Sequence, residues 1–424
     1  MIPSKLVGNY KHFPDCRFCK SKAVKEVINL GYVPLAGGFF KKGTSKVILE
    51  NEKFYPLTIT FCQNCYLLQC NNSIEPDILF KDYFYFSSSI KTLVDHFESI
   101  VRNISEYIPK QKNTFVLEIG CNDGAFITSL LKNGYKALGV DPARNVTAPL
   151  IKKGLPIINN YFSEKLAKEI VKKQGKVDAI YSFHTMAHIE NMHDVVKGIK
   201  AVLKKDGYLS FEVHYLGDLL RETQYDMIYH EHQFYYSLLS LRKFFALYDM
   251  EVFDVKHTPI RAGSMMYFVQ NKTTGARKIS ANVKNLIKQE RAQRIDEVAT
   301  YISFAKYISK TKTNLLKTIH KLKKQGKTVV GYGASGRGTI IMNYCDLTKD
   351  LLDFVVDDAP AKHGSFTPGT HQEIFPSSVL VKKTRPDYAV LFAWPFIEEV
   401  LLRNQNYIKK GGKFIVPLPK VKIT

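Results

Sequence analysis

The feature that most constrains this chain is an apolar strand that runs straight into a glycine-rich turn, FVLEIGCNDGAF at residues 115–126. The apolar start predicts a buried strand, and Gly120 and Gly124 allow a tight turn whose backbone can lie against a ligand. A second acid, Asp141, ends the next predicted strand. Glu118, the turn and Asp141 together predict a pocket for a nucleoside, in which Asp141 would bind the ribose hydroxyls.

The turn differs from the dinucleotide-binding fingerprint in a way that narrows the choice of ligand. It lacks G-x-G-x-x-G, and it places the acid Asp123 where a pyrophosphate would need backbone amides. This favours a cationic nucleoside without phosphates. The pattern resembles the cofactor loop of class I methyltransferases that use S-adenosylmethionine (SAM); an ordinary strand-to-helix turn in an unrelated α/β domain is the alternative. The residues predicted to bind SAM are Glu118, Gly120, Asn122, Asp123, Gly124, Phe126 and Asp141.

The composition is that of a folded enzyme with more than one domain. With 424 residues, 45% of them hydrophobic and 24% charged, the chain is long enough for two or three domains. No apolar run is long enough to span a bilayer, and residues 1–5 do not predict a signal peptide, so we expect a cytoplasmic enzyme. The net charge of +22 would suit nucleic acid or phosphorylated partners. However, many lysines are scattered along helical stretches, which favours a solvated face over a nucleic-acid surface.

Two C-x-x-C pairs, Cys16 with Cys19 and Cys62 with Cys65, predict a metal site near the start of the chain. Four thiolates can converge on one tetrahedral ion, and in a reducing cytosol this spacing indicates zinc far more often than disulfides. The metal could supply on the order of 10 kcal/mol of folding free energy to a segment with little core of its own. We expect a structural zinc site, with redox chemistry as the alternative, and interpret Cys70 as a core residue.

Further candidates for chemistry lie in the middle of the chain. His184 and His188 follow a predicted strand, so in a doubly wound sheet they would face the ligand pocket. The densest cluster of titratable side chains is YHEHQFYYS at 229–237. It lacks the H-E-x-x-H zinc pattern, so acid–base chemistry fits it better than a metal, with a histidine as base and a phenol as donor to developing negative charge. Tyr83 and Tyr85, in an aromatic run, could line a pocket or pack at an interface.

The last third of the chain predicts a second nucleotide-binding turn. Residues 263–268 predict an edge strand that ends the central domain, and the charged helical stretch 281–325 leads to a last α/β domain. There a strand runs into GYGASG at 331–336, which matches G-x-G-x-x-G and has Asp357 at the expected distance. The motif predicts binding of a pyrophosphate, from a nicotinamide cofactor or a nucleotide sugar, and it leaves open a purely structural turn.

The order of these parts resembles the SAM-dependent C-methyltransferases of deoxysugar pathways, which act on nucleotide-linked 4-keto sugars. The matching pieces cover nearly all of the chain: the cysteine pairs, the aromatic-Ser-Ser stretch, the E-I-G loop, A-H-I at 187–189, Y-H-E-H, the C-terminal Y-G-A-S, and the segments 368–371 and 411–417. The resemblance implies an α/β fold with a zinc-binding domain at 1–80, a class I SAM methyltransferase (Rossmann-like) domain at 81–275, and a C-terminal Rossmann-like domain at 276–424 that helps bind the nucleotide sugar.

The resemblance also implies roles for single residues. His232 would be the base, assisted by Tyr229 and Glu231, and Tyr85 and His188 would line the active site. The residues implied to contact the substrate are His184, Tyr83, Tyr332, Gly333, Ser335, Arg337 and His371. The C-terminal turn would then hold the nucleotide of the substrate, without a nicotinamide. Four positions depart from the usual residues of the family, so the sugar and its nucleobase cannot be carried over: His184, Met266, Arg337 and Pro395.

The predicted reaction is methyl transfer from SAM to the carbon next to a 4-keto group, C3 in the first instance, after His232 has removed its proton. Two alternatives use the same features. An RNA-modifying methyltransferase would use the zinc pairs and the positive charge, but no N-P-P-Y-like box follows the fourth strand. A nicotinamide-dependent sugar oxidoreductase would use the C-terminal glycine turn. We expect SAM and zinc as cofactors, a nucleotide sugar as partner, and neither nucleic acid nor a membrane span; the oligomeric state is not predicted, and a monomer would suffice.

Overall fold

The structure is a computed structural model that describes residues 6–81, 86–108, 113–382 and 385–424. Its α/β architecture confirms the predicted fold class: a cysteine-rich N-terminal domain precedes two Rossmann-like sheets. Tyr83 and Tyr85 lie outside the described residues. Within the described ranges, the helices are either too short or too polar to cross a membrane.

The N-terminal domain is a small antiparallel sheet with short helices. Its elements are β1 (Lys11–His12), β2 (Val24–Val33), α1 (Lys46–Glu50), β3 (Tyr55–Cys62), β4 (Leu68–Cys70), β5 (Asn72–Ser73) and α2 (Pro76–Phe80). Strand β3 lies between β2 and β4, and it is almost wholly buried. The free edge of β4 pairs with Phe234–Tyr235, which comes from the central domain. The N-terminal domain is therefore joined to the central domain by main-chain hydrogen bonds.

The central domain is a twisted sheet with helices on both faces. Its elements are α3 (Lys91–Asn103), β6 (Phe115–Ile119), α4 (Ala125–Lys132), β7 (Lys136–Val140), α5 (Arg144–Lys152), β8 (Ile157–Ile158), α6 (Glu164–Gln174), β9 (Val177–Phe183), α7 (Met192–Val202), β10 (Leu203–His214), α8 (Leu216–Arg221), β11 (Phe234–Tyr235), α9 (Leu238–Ala246), β12 (Met250–Thr258), β13 (Ser264–Asn271) and α10 (Ala281–Ala292). The strand order is β12-β13-β10-β9-β6-β7-β8, and β8, β7, β6, β9 and β10 run parallel.

The order of the strands places the glycine turn where a ligand can reach it. The order reverses at β6, since the chain moves outward to β7 and β8 and then returns to β9 on the other side. Ligands of such sheets bind in the crevice at the carboxyl ends of the strands next to this reversal. The predicted edge strand at 263–268 is wrong: β13 pairs with β10 on one side and with β12 on the other, so β12 forms the edge.

The C-terminal domain repeats the same plan on a smaller scale. Its elements are α11 (Val298–Lys324), β14 (Val329–Tyr332), α12 (Gly336–Tyr344), β15 (Val355–Asp357), β16 (Ile374–Pro376), β17 (Tyr388–Leu391), α13 (Ile397–Arg403), α14 (Gln405–Lys409), β18 (Lys413–Val416) and β19 (Lys422–Ile423). The strand order β16-β15-β14-β17-β18-β19 matches that of the central sheet from β8 to β13, with an antiparallel last strand in both.

The cores of the three domains are not separate. One hydrophobic cluster combines the N-terminal sheet with the C-terminal domain, through residues such as Leu57 and Ile340. Val283 and Leu286 of α10 pack instead in the core of the central domain. Helix α10 therefore packs as part of the central domain, although the predicted boundary at 275/276 places it in the C-terminal one. The long helix α11 then crosses to the C-terminal sheet.

Candidate active site

A cleft of about 340 Å³ opens at the carboxyl ends of β6, β7 and β9. Several of the residues predicted for the site line this cleft, together with residues that the sequence did not indicate. The lining includes Gly120, Asn122, Asp141, Phe162, His184 and His188. The cleft is large enough for much of a nucleoside ligand, and it lies where the strand order predicts one.

The glycine turn and the strand-ending acid form one rigid unit. Gly120 has φ +78°, in the left-handed region, and a Cβ there would come within 2.6 Å of side-chain carbons of Thr185. Only glycine fits such a position without strain. The Asp141 carboxylate accepts the backbone N–H of Asn122 at 2.9 Å and that of Ala143 at 2.8 Å. These bonds fix the carboxylate at the edge of the cleft, where it keeps further acceptor capacity for a ligand.

The charges around the turn fit a cationic ligand. Glu118 is 2% exposed, and its Oε2 has no hydrogen-bond partner among the residues that the structure describes. Burial and the nearby Asp141 and Asp123 raise the pKa of the Glu118 carboxyl well above its ordinary value. An unpaired buried carboxylate oxygen beside two further acids favours a positively charged group nearby. The residues present therefore fit SAM, which carries a sulfonium and an ammonium charge.

Four residues of the predicted SAM site do not line the cleft: Glu118, which lies behind it, and Asp123, Gly124 and Phe126. The Asp123 carboxylate accepts the backbone N–H of Ser88 at 3.0 Å and its hydroxyl at 2.5 Å. Gly124, with φ +70°, is the residue from which helix α4 starts. The placement of Phe126 in the cofactor site is not what the structure shows: its ring is fully buried in the core, 4.8 Å from that of Phe183. The first turn of α4 directs Phe126 into the layer between helix and sheet, away from the cleft.

Two histidines line the cleft in the neutral form. His184 has a left-handed backbone (φ +55°), and its Nε2 is buried without a partner in the described part of the chain. Burial and the charge of Arg261 lower the pKa of His184 well below its ordinary value. The ring of His188 stacks on Phe80, with centroids 5.5 Å apart, and burial likewise lowers its pKa. Both imidazoles are therefore uncharged at neutral pH.

His232 lies beside His188, with its ring oriented by one backbone contact. The ring centroids of His232 and His188 are 5.2 Å apart, and that of Tyr229 lies 4.0 Å from His232. His232 Nδ1 is 2.8 Å from the carbonyl oxygen of Met227. A carbonyl only accepts, so Nδ1 carries the proton and Nε2 keeps its lone pair. Burial lowers the pKa of His232 to about 4, and the bond to Met227 opposes this shift.

The two residues before His232 turn towards the N-terminal domain. His230 Nε2 lies 3.3 Å from the carbonyl oxygen of Pro56, and burial lowers the pKa of His230 to about 4. Glu231 is buried against the backbone near Gly37, and its burial raises the pKa of the carboxyl to about 7. Of the Y-H-E-H cluster, the structure thus brings Tyr229 and His232 together beside His188, while His230 and Glu231 face the other way.

The residues predicted to contact the substrate from the C-terminal domain have protein partners. The Tyr332 hydroxyl donates to Asp358 (2.8 Å), Arg337 forms an ion pair with Asp226 (2.7 Å), and His371 Nε2 is hydrogen-bonded to Glu52 (2.6 Å). Ser335 accepts the backbone N–H of Gly338 (3.2 Å) and so caps helix α12, and Gly333 (φ +97°) packs against Ala393. The glycine turn also packs on the N-terminal domain, since a Cβ at Gly336 would lie 3.4 Å from Ala36.

The four predicted zinc ligands converge. The Sγ atoms of Cys16, Cys19, Cys62 and Cys65 all lie within 4.8 Å of one another, with Cys16–Cys65 at 3.4 Å and Cys19–Cys62 at 3.6 Å. Tetrahedral zinc with bonds of about 2.3 Å needs sulfur–sulfur distances of about 3.8 Å, so the set fits zinc. Cys70 is buried outside the cluster, and its thiol donates to the carbonyl of Asn72.

Sequence reasoning missed several charged residues of this region, among them Arg261 and Asp226. Arg261 lines the cleft from a strained turn, since it and Ala262 both have positive φ (53° and 67°). Consecutive left-handed non-glycine residues are uncommon and tend to occur at functional sites. Asp226, fully buried, binds Arg337 across the domain boundary. Neither residue lies in a motif, so no pattern in the sequence could have indicated it.

The doubly wound sheet, the glycine turn and the acids around the cleft define a SAM-dependent methyltransferase. Family models match three successive stretches of the chain: a zinc binding domain at 16–80, a methyltransferase domain at 94–255, and a C-methyltransferase C-terminal domain at 259–419. The chain belongs to the C-methyltransferase family, and it uses SAM and zinc as predicted.

One relative that matches nearly the whole chain also shows the family. The C-methyltransferase NovU of Streptomyces niveus is 31% identical over 409 residues, which cover 96% of each chain. An uncharacterized methyltransferase of Alkaliphilus oremlandii is 23% identical over 141 residues, which cover 32% of this chain and 64% of that protein. Among solved structures, the magnesium protoporphyrin IX methyltransferase of Synechocystis PCC 6803, with bound SAM, is 14% identical, with a TM-score of 0.31 and coverage of 42% of this chain and 78% of that one.

Proposed function

We propose that this enzyme methylates the carbon next to the keto group of a nucleotide-linked 4-keto deoxysugar, with C3 as the methylated position. The proposal adds a substrate class to the C-methylation that the family establishes. It is supported by the match of motifs along the chain to deoxysugar C-methyltransferases, and by a neutral histidine next to the SAM cleft. The carbonyl makes the neighbouring C–H acidic enough for such a base to remove its proton.

The observation that carries the mechanism is the contact between His232 and Met227. With its proton held on Nδ1 by the Met227 carbonyl at 2.8 Å, the ring offers Nε2 as the base. Because burial lowers its pKa to about 4, His232 is almost wholly in the neutral form at neutral pH, with the lone pair of Nε2 free to accept a proton. SAM, when bound, supplies an electrophilic methyl group. His232 removes the proton from the substrate carbon and keeps it, so the electron pair passes into the enolate that takes the methyl.

The neighbours of His232 have proposed roles that follow from where they lie. Tyr229, whose ring lies 4.0 Å from that of His232, would donate a hydrogen bond to the enolate oxygen. His184 and His188 line the cleft as neutral imidazoles and would orient the sugar. Glu231 would act indirectly, by fixing the backbone on which His232 is carried. Tyr83 and Tyr85 stay predictions as further residues of the pocket.

The nucleotide of the substrate would bind at the glycine turn of the C-terminal domain. Arg337 is in an ion pair with Asp226, His371 is hydrogen-bonded to Glu52, and the Tyr332 hydroxyl is bonded to Asp358. The Ser335 hydroxyl accepts the N–H of Gly338 and keeps its own proton to donate, so Ser335 is the proposed contact for the pyrophosphate. Gly333, whose backbone N–H donates to the Val356 carbonyl at 2.8 Å, stays a prediction. No nicotinamide is needed for such a role, because the helix that follows the turn can bind any phosphate.

The substrate is tested with methyl-labelled SAM and a panel of dTDP-, GDP- and CDP-linked 4-keto sugars, followed by NMR to locate the new methyl. We expect label on the carbon next to the carbonyl. Parallel incubations with RNA and with NADH test the two alternative functions. Label on oxygen, label in RNA, or binding of NADH in preference to SAM would contradict the proposal.

The base is tested with His232→Gln and, as a matched control two residues away, His230→Gln. Without SAM, the wild-type enzyme in D2O should exchange the proton next to the carbonyl for deuterium. We expect His232→Gln to lose both this exchange and turnover by at least about a hundredfold, and to keep SAM binding. The His230→Gln variant should keep both activities, since His230 faces Pro56. Exchange by His232→Gln at the wild-type rate would remove His232 from this role.

A further inference from the structure

A buried ion pair joins the C-terminal domain to the segment that carries His232. Arg337 donates from Nε to Asp226 Oδ2 at 2.7 Å and from Nη2 to Oδ1 at 3.0 Å. Asp226 is fully buried, and it also accepts the indole N–H of Trp394 at 2.9 Å. A two-point contact between guanidinium and carboxylate fixes orientation as well as distance, which a lysine could not do.

The residues on either side of Asp226 show why this pair concerns the active site. Asp226 lies in a short 3₁₀ turn, Tyr225–Met227, that packs on helix α12 of the C-terminal domain. The Tyr225 hydroxyl is 3.7 Å from Cys345 Sγ, and the Tyr225 ring lies 5.5 Å from that of Tyr344. The next carbonyl along the chain, that of Met227, accepts the Nδ1–H of His232. The C-terminal domain thus holds the peptide that orients His232.

We propose that Arg337 is a positioning residue that fixes the ring and the tautomer of His232 through Asp226 and the Met227 carbonyl. The inference rests on the proposed function, in which His232 is the base. A neutral histidine has two tautomers, and only the one with the proton on Nδ1 leaves Nε2 free to accept a proton. Partners beyond the reacting groups often set such a tautomer, and a displacement of about 1 Å can cost a hundredfold in rate.

This role differs in a measurable way from the contact with substrate that the sequence predicts for Arg337. A substrate contact acts on binding, so its loss raises the KM for the sugar nucleotide. A positioning contact acts on the chemical step, so its loss lowers kcat and leaves SAM binding alone. The guanidinium donates from both Nε and Nη2 to Asp226, which favours the positioning role.

The test compares Arg337→Met and Arg337→Lys with a control in the same domain, Arg403→Met. The Arg403 side chain is half-exposed, and its Nη1 lies 3.6 Å from Asp358 Oδ2. It therefore pairs with a different carboxylate from the one that Arg337 binds. Turnover is measured with the sugar of the panel that reacts fastest. The tautomer of His232 is read from the ¹⁵N shifts of its ring in uniformly labelled protein, with His232→Gln identifying the signals among the 12 histidines.

We expect Arg337→Met to lower kcat about 10- to 100-fold, to leave the dissociation constant of SAM within twofold, and to shift His232 towards the Nε2–H tautomer. Arg337→Lys should fall between Arg337→Met and wild type, and Arg403→Met should match wild type. If Arg337→Met fails to fold because Asp226 is left buried and unpaired, the double variant Asp226→Asn with Arg337→Met removes both charges and should show the same loss.

Other outcomes overturn the inference. A folded Arg337→Met with wild-type kcat removes the positioning role, and so does a lower kcat with the Nδ1–H tautomer unchanged. A higher KM for the sugar at constant kcat would make Arg337 a substrate-binding residue instead. If His232→Gln itself turns over normally, the proposed function fails, and that result is distinct from normal turnover by Arg337→Met alone.

Discussion

Replacing Gly120 by alanine tests the SAM cleft at the position where the structure leaves no room for a side chain. Gly120 has φ +78°, and a Cβ there would come within 2.6 Å of the side-chain carbons of Thr185, which lines the same cleft. The new methyl therefore has to displace Thr185 or lift the turn. Gly154→Ala is the matched control, because Gly154 has φ +83° and nothing within 4 Å of its Cβ position.

Both substitutions put an alanine in a left-handed backbone conformation, but only Gly120→Ala also brings the new methyl against Thr185. A left-handed backbone costs an alanine roughly 1–2 kcal/mol, so Gly154→Ala should lower Tm by about 2–8 °C. Overpacking against Thr185 adds roughly 1–3 kcal/mol at Gly120, which brings the total to about 3 kcal/mol and the fall in Tm to about 6–12 °C. Since the turn and Thr185 both face the cleft, we expect the dissociation constant of SAM to rise at least tenfold, or about 1.4 kcal/mol.

Calorimetric titration with SAM and thermal melts of wild type and both variants measure these effects. Gly154→Ala should bind SAM as wild type does. If Gly120→Ala is folded and binds SAM within twofold of wild type, the turn does not contact the cofactor and the assignment of the cleft fails. An equal loss of SAM affinity in both variants would show instead that the left-handed backbone, and not the contact with Thr185, is responsible.

Two further predictions concern the zinc site and the pH dependence of stability. Cys65→Ser should lower zinc from about one ion per chain, lower Tm and reduce turnover, whereas Cys70→Ser should keep zinc, as measured by elemental analysis. A zinc content of Cys65→Ser equal to that of wild type would contradict the assignment of the four cysteines as zinc ligands. Burial raises the pKa of the Glu231 carboxyl from 4.5 to about 7. Between these two pH values the folded state therefore holds a proton that the unfolded chain has released. The resulting stability is fully present below pH 4.5 and is lost as pH rises through 7, by about 3 kcal/mol. Glu231→Gln should therefore lose less Tm between pH 5 and pH 8 than wild type, while the exposed Glu398→Gln should behave as wild type; identical curves for Glu231→Gln and wild type would refute this.

The features predicted well from the sequence are those that short stretches of chain determine. A strand, two glycines and an acid twenty-one residues beyond the first glycine suffice to place the cleft, and two C-x-x-C pairs suffice for zinc. Phe126 shows the limit of a motif, since it belongs to the matched stretch but helix α4 turns it into the core. The pairing of Asp226 with Arg337 joins residues 111 positions apart. Such a contact depends on how whole domains pack, which no local pattern records.

The positions of the three domains explain why a cofactor domain alone would not suffice for this chemistry. His232 lies in the short segment from Met227 to Gln233. The two ends of this segment are held by different domains. On one side, Asp226 binds Arg337 of the C-terminal domain.

On the other side, Gln233 Oε1 accepts a hydrogen bond at 2.7 Å from Arg17, which lies between two zinc ligands. The backbone N–H of Gln233 donates to Ala187, next to His188 of the central domain. Loss of zinc would therefore weaken the Arg17 contact at the Gln233 end of the segment and leave the one to Ala187, and loss of the C-terminal contact would free the Asp226 side chain at the other end. The SAM cleft is lined by residues of the N-terminal and central domains, and the segment with His232, the proposed base, is held by contacts from all three domains.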